Sequence, residues 1–576
     1  MGLCHRTIDP LTGEGRAVGG GLVVPVAPEQ RSVWSVFRHR SVRQIAASAA
    51  VGVALIAALA ACTSSPGTEP TDGGPIKGGT LTYLINQATI TLDPAVSPGN
   101  ATALMTRNIF DSLVVQTEPG TFKPWLATSW TISEDGTVYT FELKDGVKFH
   151  DGTAFTAEAV KAALDHIVDP ETKSQNTILL GIYEHSRVID DLTVEVTLSQ
   201  PFRPFLETLS GTELAIQSPA QLALPAADYK PVGTGPFSYV SWDQQKTLVL
   251  DRNPDYSSPP TGAAHEGPAY LEQLRFDLVT EDATRYGALT NGEAQAIAAV
   301  PAADVETLTS TAGFQVLTAS VPGVNYSLFF NSSRGLTSDL RIRQALQAAT
   351  DVPAIVKNVY FGTYEVATNV LGPATAGYDA SAANSLQGYD PDKAVHLLEE
   401  AGWTETNADG YRTKDGQELE LVWPSYPGAN TIVPEAVQAD AKKVGIKITR
   451  PNLDVATVIS RLESGDYDIM DGNISRSDPD VLRDAFNSER TYAVGGWNLS
   501  RVNSDELDQW LDAGLTTNDQ DVADKSYAQV QKKVLADAQV LPIFVYQYIL
   551  GASDALHGVT FGATAQPLLY DAWLSE

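Results

Sequence analysis

Few residues in this chain are spaced for covalent chemistry. Its two cysteines, Cys4 and Cys62, have no CxxC partner, which excludes a thioredoxin-like redox pair and a zinc ribbon. The eight histidines are scattered, with no HExxH and no tight His/Cys cluster, so no protein-built metal site is expected. No GxSxG elbow marks a serine esterase. Paired carboxylates are too common in a chain with 70 acids to mark a glycosidase. Gly233-Thr234-Gly235-Pro236 has the outline of a phosphate loop, but no Walker lysine follows and Pro236-Phe237 leads toward a strand. A bend at an interlobe crossing is the expected role of that segment. No catalytic residue and no cofactor is expected.

The scaffold around these residues is large. The chain has 576 residues, 39 Lys+Arg against 70 Asp+Glu, and a formal net charge of −31. That length has room for about three or four domains. A hydrophobic share of 43% with 19% charged residues fits globular folding. The acidity argues against nucleic acid as a partner, because phosphate binding needs Lys and Arg to release counterions. Period-2 runs predict strands at Thr80 to Ile85, at Tyr139, Phe141 and Leu143, and at Leu192, Val194, Val196 and Leu198. Helical stripes follow from Thr156 as N-cap through Val160, Ala163, Leu164 and Ile167, and from Asp390-Pro391 through Ala394, Leu397, Leu398 and Ala401 to Gly402. Val437, Ala441 and Val444 lead through Gly445 into a strand at Ile446 to Ile448. Mixed α/β patterning over this length implies two or more α/β lobes, and ligands favour the seam between such lobes.

The amino-terminal segment is an address. Arg38, Arg40 and Arg43 precede an uncharged, alanine-rich stretch from Ile45 to Ala61, short for a membrane span of about 20 residues. It reads as a signal-peptide core. Leu59-Ala60-Ala61-Cys62 resembles a bacterial lipobox, whose cysteine is diacylated, and two acyl chains suffice for stable anchoring. Residues 1–61 are therefore expected to be removed, with 1–30 an over-long start. Residues 62–77 would form the lipidated Cys62 and a flexible tether rich in Ser, Pro, Gly and Thr. The body is expected outside the cytoplasm, held to the outer face of the cell membrane.

Several motifs, in order, resemble the bacterial extracellular solute-binding proteins of family 5, the oligopeptide, dipeptide and nickel receptors of ABC importers. They are Gly78-Gly79-Thr80-Leu81-Thr82-Tyr83, Asn108-Ile109-Phe110-Asp111-Ser112-Leu113, and Tyr139 through Gly152 with Phe155-Thr156-Ala157-Glu158. Then come Gly233-Thr234-Gly235-Pro236-Phe237, Arg252-Asn253-Pro254-Asp255-Tyr256, Asp339-Leu340-Arg341-Ile342-Arg343 and Leu541-Pro542-Ile543-Phe544. The resemblance implies a two-lobed α/β fold with a hinge and an extra domain inserted in the first lobe. Lobe one would comprise 78–111, 236–325 and 541–576, the inserted domain 112–235, and lobe two 326–540.

The resemblance also implies function: reversible capture of a peptide or similar small solute, without chemistry, by a monomeric lipid-anchored receptor. Its partners would be the permease and ATPase subunits of an ABC importer. A chelated metal such as nickel would arrive inside the ligand. In peptide-binding members an aspartate in lobe two pairs with the peptide α-ammonium. The matching stretch here is Asp471-Gly472-Asn473-Ile474-Ser475-Arg476-Ser477-Asp478-Pro479, where Ser475 stands at that position. Arg476 offers a planar fork suited to an anion, with Asp478 two residues on; a local Arg476–Asp478 ion pair is the competing expectation. Asn473 belongs to the same stretch. Tyr546 matches a ligand-facing tyrosine of the oligopeptide binders. Trp497 and Asn498, in a glycine-preceded loop, pair a stacking surface with an amide, as a cleft edge or a buried anchor. Asn325 and Tyr326 lie on the expected hinge strand. A secreted hydrolase and a signalling or scaffold lipoprotein reusing the fold are the alternatives.

Overall fold

The computed structural model describes residues 74–575, apart from 98, 181, 226 and 227. The expected signal sequence, Cys62 and most of the tether lie outside the described residues. The described residues form one compact unit. No helix among them is long and apolar enough to cross a membrane.

Leu81, Tyr83 and Ile85 alternate along Thr80–Ile85 and face one core, while Leu84 faces another. That double-sided burial is what a central strand requires. The strand lies inside a seven-stranded sheet whose order runs Phe314–Ser320, Gln547–Ser553, Ala296–Ala298, Thr80–Ile85, Gln273–Leu278, Thr247–Arg252, Phe237–Asp243. Thr80–Ile85 pairs in parallel with Gln273–Leu278 and Ala296–Ala298; the other pairings are antiparallel.

A second, four-stranded antiparallel sheet is built from Ala127–Ile132, Val138–Leu143, Thr193–Leu198 and Tyr183–Asp190. Its inward residues Tyr139, Phe141, Leu143, Val194, Val196 and Leu198 pack on Val160, Ala163, Leu164 and Ile167 of the helix Ala157–Val168. Thr156 does stand at that helix's N-cap, but its side chain makes no capping bond. Asp390 does cap its helix, accepting from the Lys393 N–H with Pro391 in the first turn, and Gly402 follows with φ +89°.

This second layer joins the first through two strands of chain that lie on each other. The Gly235 N–H donates to the Ile109 carbonyl at 2.9 Å and the Phe237 N–H to Asn108 at 3.0 Å. A Cβ at Gly233 would stand 2.1 Å from the Ile109 oxygen, and one at Gly235 2.6 Å from it. The two glycines are therefore needed for close backbone approach, which accounts for Gly-Thr-Gly-Pro without a phosphate. Beneath the junction the fully buried Asp111 accepts from Thr234 and Ser258 at 3.0 Å each and from Tyr256 at 3.3 Å.

The third sheet runs Glu365–Val366, Val540–Val545, Val324–Phe330, Ile469–Ile474, all antiparallel. Helices cover both faces, so Tyr326, Leu328 and Phe330 enter one core and Phe329, Met470 and Val540 another. This sheet corrects two expected boundaries. The stretch 541–545 is expected with lobe one, yet Val540–Val545 pairs with Val324–Phe330, and the chain reaches the seven-stranded sheet only at Gln547. Residues 324 and 325, also placed in lobe one, belong to the same third sheet. Motif order does not reveal these handovers, because the motifs mark segments and not the sheet that each segment joins.

Candidate ligand-binding site

The chain passes between the seven-stranded sheet and the third sheet at two places, Val321-Pro322-Gly323 and Tyr546. They lie side by side, with the Val321 N–H donating to the Tyr546 carbonyl at 2.9 Å. Gln547 Nε2 donates to Ser320 Oγ at 2.9 Å, adding a second tie. Gly323 has φ +114°, and a Cβ there would meet the Ile474 oxygen at 2.0 Å, so only glycine fits. A paired crossing of this kind can bend without breaking either sheet.

An aromatic wall grows from the crossing into the third sheet. Phe544 and Tyr546 fall at alternate positions of one extended run, their rings 6.3 Å apart. Tyr364 bridges them, 5.0 Å from Phe544 and 5.9 Å from Tyr546. Tyr326 stacks on Phe544 at 4.6 Å with 12° between planes, and Tyr360 meets Phe544 edge-on at 4.8 Å. Tyr546 keeps 41% of its surface exposed, so the wall ends at solvent.

Next to the wall runs Ile469–Ile474, the outer strand of its sheet, with no strand pairing on its second side among the described residues. Such an edge can hydrogen-bond an extended guest. Asn473 and Ser475 are half-buried here, and no side-chain hydrogen bond is formed by either among the described residues. Trp497 lies across the strand: a Cβ at Gly472 would be 2.9 Å from its Cζ3, and the residue is 36% exposed. The edge strand, Trp497, Tyr326 and Tyr546 are thus brought into one region.

Other expected site residues have structural duties. Asn498 is buried, donating to the carbonyls of Asn487 at 3.0 Å and Val502 at 2.8 Å, which makes it the loop anchor and not the cleft edge. Asn325 is buried too, and its Nδ2 holds the carbonyls of Asn369 and Leu371 at 2.9 Å each. Arg476 and Asp478 do not pair with each other. Arg476 Nη1 lies 3.0 Å from Asp484 Oδ2, and Asp478 Oδ2 lies 3.2 Å from Arg203 Nη1. The Arg476 fork therefore already has its anion.

Arg203 introduces a seam that sequence reasoning missed. Residues of the second layer grip the loop after the edge strand: Ser477 Oγ lies 2.6 Å from Gln116 Oε1 and 3.0 Å from Glu207 Oε1, and Arg203 Nη2 donates to Gln520 Oε1 at 2.8 Å. No cation lies within 4.0 Å of Glu207 among the described residues, and burial, with Asp478 beside it, pushes its carboxyl up to about 7.

A charged group in the third-sheet lobe was missed as well. Trp423 and Arg450 each follow the carboxyl end of a parallel pair, Glu420–Val422 and Lys447–Thr449. The Arg450 guanidinium lies over the Trp423 ring at 4.9 Å. Asp471 accepts from Trp423 Nε1 at 2.8 Å and from the Tyr326 hydroxyl at 2.6 Å. Burial holds Arg450 below the usual guanidinium range and, with Asp471 beside it, Tyr326 well above the usual phenol range. The Phe544-x-Tyr546 alternation was a legible signal for the wall; nothing local marked Arg450.

Two surface grooves lie elsewhere. One of about 480 Å³ is lined by Thr80, Asp251, Arg252, Pro254, Glu272 and Gln273, and one of about 620 Å³ runs from Gln200 along 483–516. Neither includes the aromatic wall. No group of three or more His, Cys, Asp or Glu placed to hold a metal occurs among the described residues.

Comparison with known proteins converges on one group. The family model described as "Bacterial extracellular solute-binding proteins, family 5 Middle" matches residues 121–492. The chain is similar to the "Probable D,D-dipeptide-binding periplasmic protein DdpA" of Escherichia coli (strain K12), 30% identical over 82% of this chain and 89% of that one. It is similar to the "Glutathione-binding protein GsiB" of the same strain, 27% identical over 81% of this chain and 89% of that one. In fold it resembles NikA from Brucella suis in complex with Fe(III)-EDTA, with a TM-score of 0.77, 24% identity, and coverage of 86% of this chain and 100% of that one.

Proposed function

As the chain belongs to the bacterial extracellular solute-binding proteins of family 5, receptors of ABC importers and not enzymes, we propose that it captures a peptide or peptide-like solute at the double crossing. The fold of the family, two α/β lobes about a hinge, is the one described above. On our reading the seven-stranded sheet is lobe one, the second sheet its inserted domain, and the third sheet lobe two. The observation that carries the proposal is the hydrogen-bonded crossing at Val321 and Tyr546, flanked by an open strand edge and an aromatic wall. A solute there touches both lobes, so the contacts it makes only on closure favour the closed state.

Asn473, Ser475 and the backbone of Ile469–Ile474 would supply hydrogen bonds, with Trp497 and Tyr546 as stacking surfaces. Arg476 and Asp478 serve the seam and not the solute. Ser475 cannot replace a carboxylate, so an α-ammonium needs another partner. Lipidation at Cys62 would keep the receptor at the membrane, and a permease with its ATPase would take delivery of the solute.

The test is thermal stabilisation of the chain from Thr63 onward by linear di- to octapeptides, D,D-dipeptides, glutathione, opines and nickel chelates. A solute at 100 times its Kd should stabilise the folded state by about 2.7 kcal/mol, a shift of the melt that is readily measured. No shift with any of them would contradict the proposal. Anchoring is tested separately: membrane attachment and acyl labelling should both be lost in Cys62→Ala.

A further inference from the structure

We infer that Arg450 and Asp471, and not the 475–478 loop, read the charge of the captured solute, selecting an α-amino-acid head group with ammonium and carboxylate on one carbon. This rests on the solute-receptor reading above. In the 475–478 loop the charges are spent, with Arg476 on Asp484 and Asp478 on Arg203. Arg450 is different. Its Nη2 reaches only neutral oxygens, Ser425 Oγ at 3.3 Å and the Asn430 carbonyl at 3.2 Å, and its buried Nε has no partner. Among the described residues no carboxylate oxygen lies within 4.0 Å of Arg450, and no cation lies within 4.0 Å of Asp471. Arg450 and Asp471 act on each other only across the Trp423 indole, without an ion-pair contact, and half-buried charges so separated are costly to keep.

Both groups are held by one side chain. The indole of Trp423 carries Arg450 on its face and donates its Nε1 to Asp471. Trp423 and Arg450 stand just past the carboxyl ends of parallel strands, where α/β lobes leave a crevice for ligands. Two routes of contact link them to the wall: Arg450 through Asn430 and Tyr360, and Asp471 through Tyr326, both ending on Phe544. Side-chain contacts thus tie the pair to the wall that ends at Tyr546.

A solute carboxylate suits the planar guanidinium fork, and an ammonium can donate to lone pairs of Asp471 that Trp423 and Tyr326 leave open. A zwitterion supplies both partners and leaves the net charge of the site unchanged. Because the two groups flank a single indole, the solute charges must be close together. The termini of a linear peptide are separated by at least one further Cα–Cα step of about 3.8 Å, whereas an amino-acid head carries both within two bonds.

Calorimetric titration of the chain from Thr63 onward would use three probes: S-methylglutathione, whose γ-linkage leaves an amino-acid head free, its α-linked isomer, and its N-acetyl form. We expect S-methylglutathione to bind at least about ten-fold tighter than either other probe. Arg450→Gln and Asp471→Asn should each reduce that preference to within about two-fold, while Arg476→Gln leaves it intact. Should either variant fail to fold, Arg450→Lys keeps the charge without the fork and should retain only part of the preference. Equal binding of the three probes, or a preference that survives Arg450→Gln and Asp471→Asn, would overturn the inference. A protein that binds linear dipeptides but not S-methylglutathione overturns it too, leaving the receptor reading intact. A protein that binds nothing in either panel overturns both.

Discussion

Trp497 and Asn498 are adjacent in sequence and opposite in consequence. Trp497 lies over the backbone of Gly472 with its indole part exposed, so Trp497→Ala should weaken solute binding by about ten-fold with little change in the melt. Asn498→Ala strips partners from two buried carbonyls and the Val502 N–H, and should cost about 1–3 kcal/mol in denaturant titration while sparing intrinsic affinity. Residue type alone could not separate them, since a Trp-Asn pair after two glycines suits an open edge as well as an anchored loop. The same limit applied to Arg476. Its fork was visible in the sequence, but its partner Asp484 is eight residues on and reaches it only through the turn into the helix Val481–Phe486. Arg450 was silent for the converse reason: it matters because of Trp423 and Asp471, which are distant in the chain.

Periodicity is a better guide to elements than to how they join. The helices after Thr156 and Asp390 and the alternating strand Val138–Leu143 are where local pattern places them, because each buries one stripe or one face. The handovers at Gly323 and Tyr546 carry no such pattern, so the expected boundaries at 325 and 541 missed them. Glycine occupies two joints, Gly323 and the Gly233–Gly235 junction. Gly323→Ala puts a methyl group 2.0 Å from the Ile474 oxygen in a left-handed backbone, and should cost about 2 kcal/mol or more in an unfolding titration. At the other joint, burial pushes Asp111 up to about 7. A carboxyl raised on folding contributes stability that is full below its unfolded pKa of about 3.9 and lost as pH rises through about 7. Asp111→Asn should therefore flatten the decline in melting temperature between pH 5 and pH 8. Part of the slope should remain, because Glu207 and Asp480 are also raised to about 7 by burial.

At the scale of the molecule, the second layer and the third-sheet lobe meet at a seam beside the loop that follows the edge strand. Glu207 enters it facing Ser477 and Asp478, with Arg476 and Glu213 nearby and Arg203 committed to Asp478. A carboxyl raised in the formed seam favours that seam at low pH; if solute capture forms the seam, affinity should fall as pH rises through about 7. Glu207→Gln should remove most of that dependence, as titration calorimetry at pH 6 and pH 8 would register. The family and its two-lobed plan were legible because their motifs lie in order along the chain; the seam was not, because Gln116, Arg203 and Glu207 meet Ser477 and Asp478 only in three dimensions.

Closure of the two lobes about the crossing at Val321 and Tyr546 on solute capture can be read as a distance. The only cysteines are Cys4 and Cys62, so a chain from Thr63 onward has none. Spin labels at Glu306→Cys, in the helix Ala302–Ser310, and Val455→Cys, in the helix Val455–Ser464, would report on opposite lobes. Pulsed dipolar spectroscopy should show a solute that raises the melt drawing the label distances into one shorter, narrower population. A solute that binds and raises the melt while leaving that distribution unchanged would contradict the account.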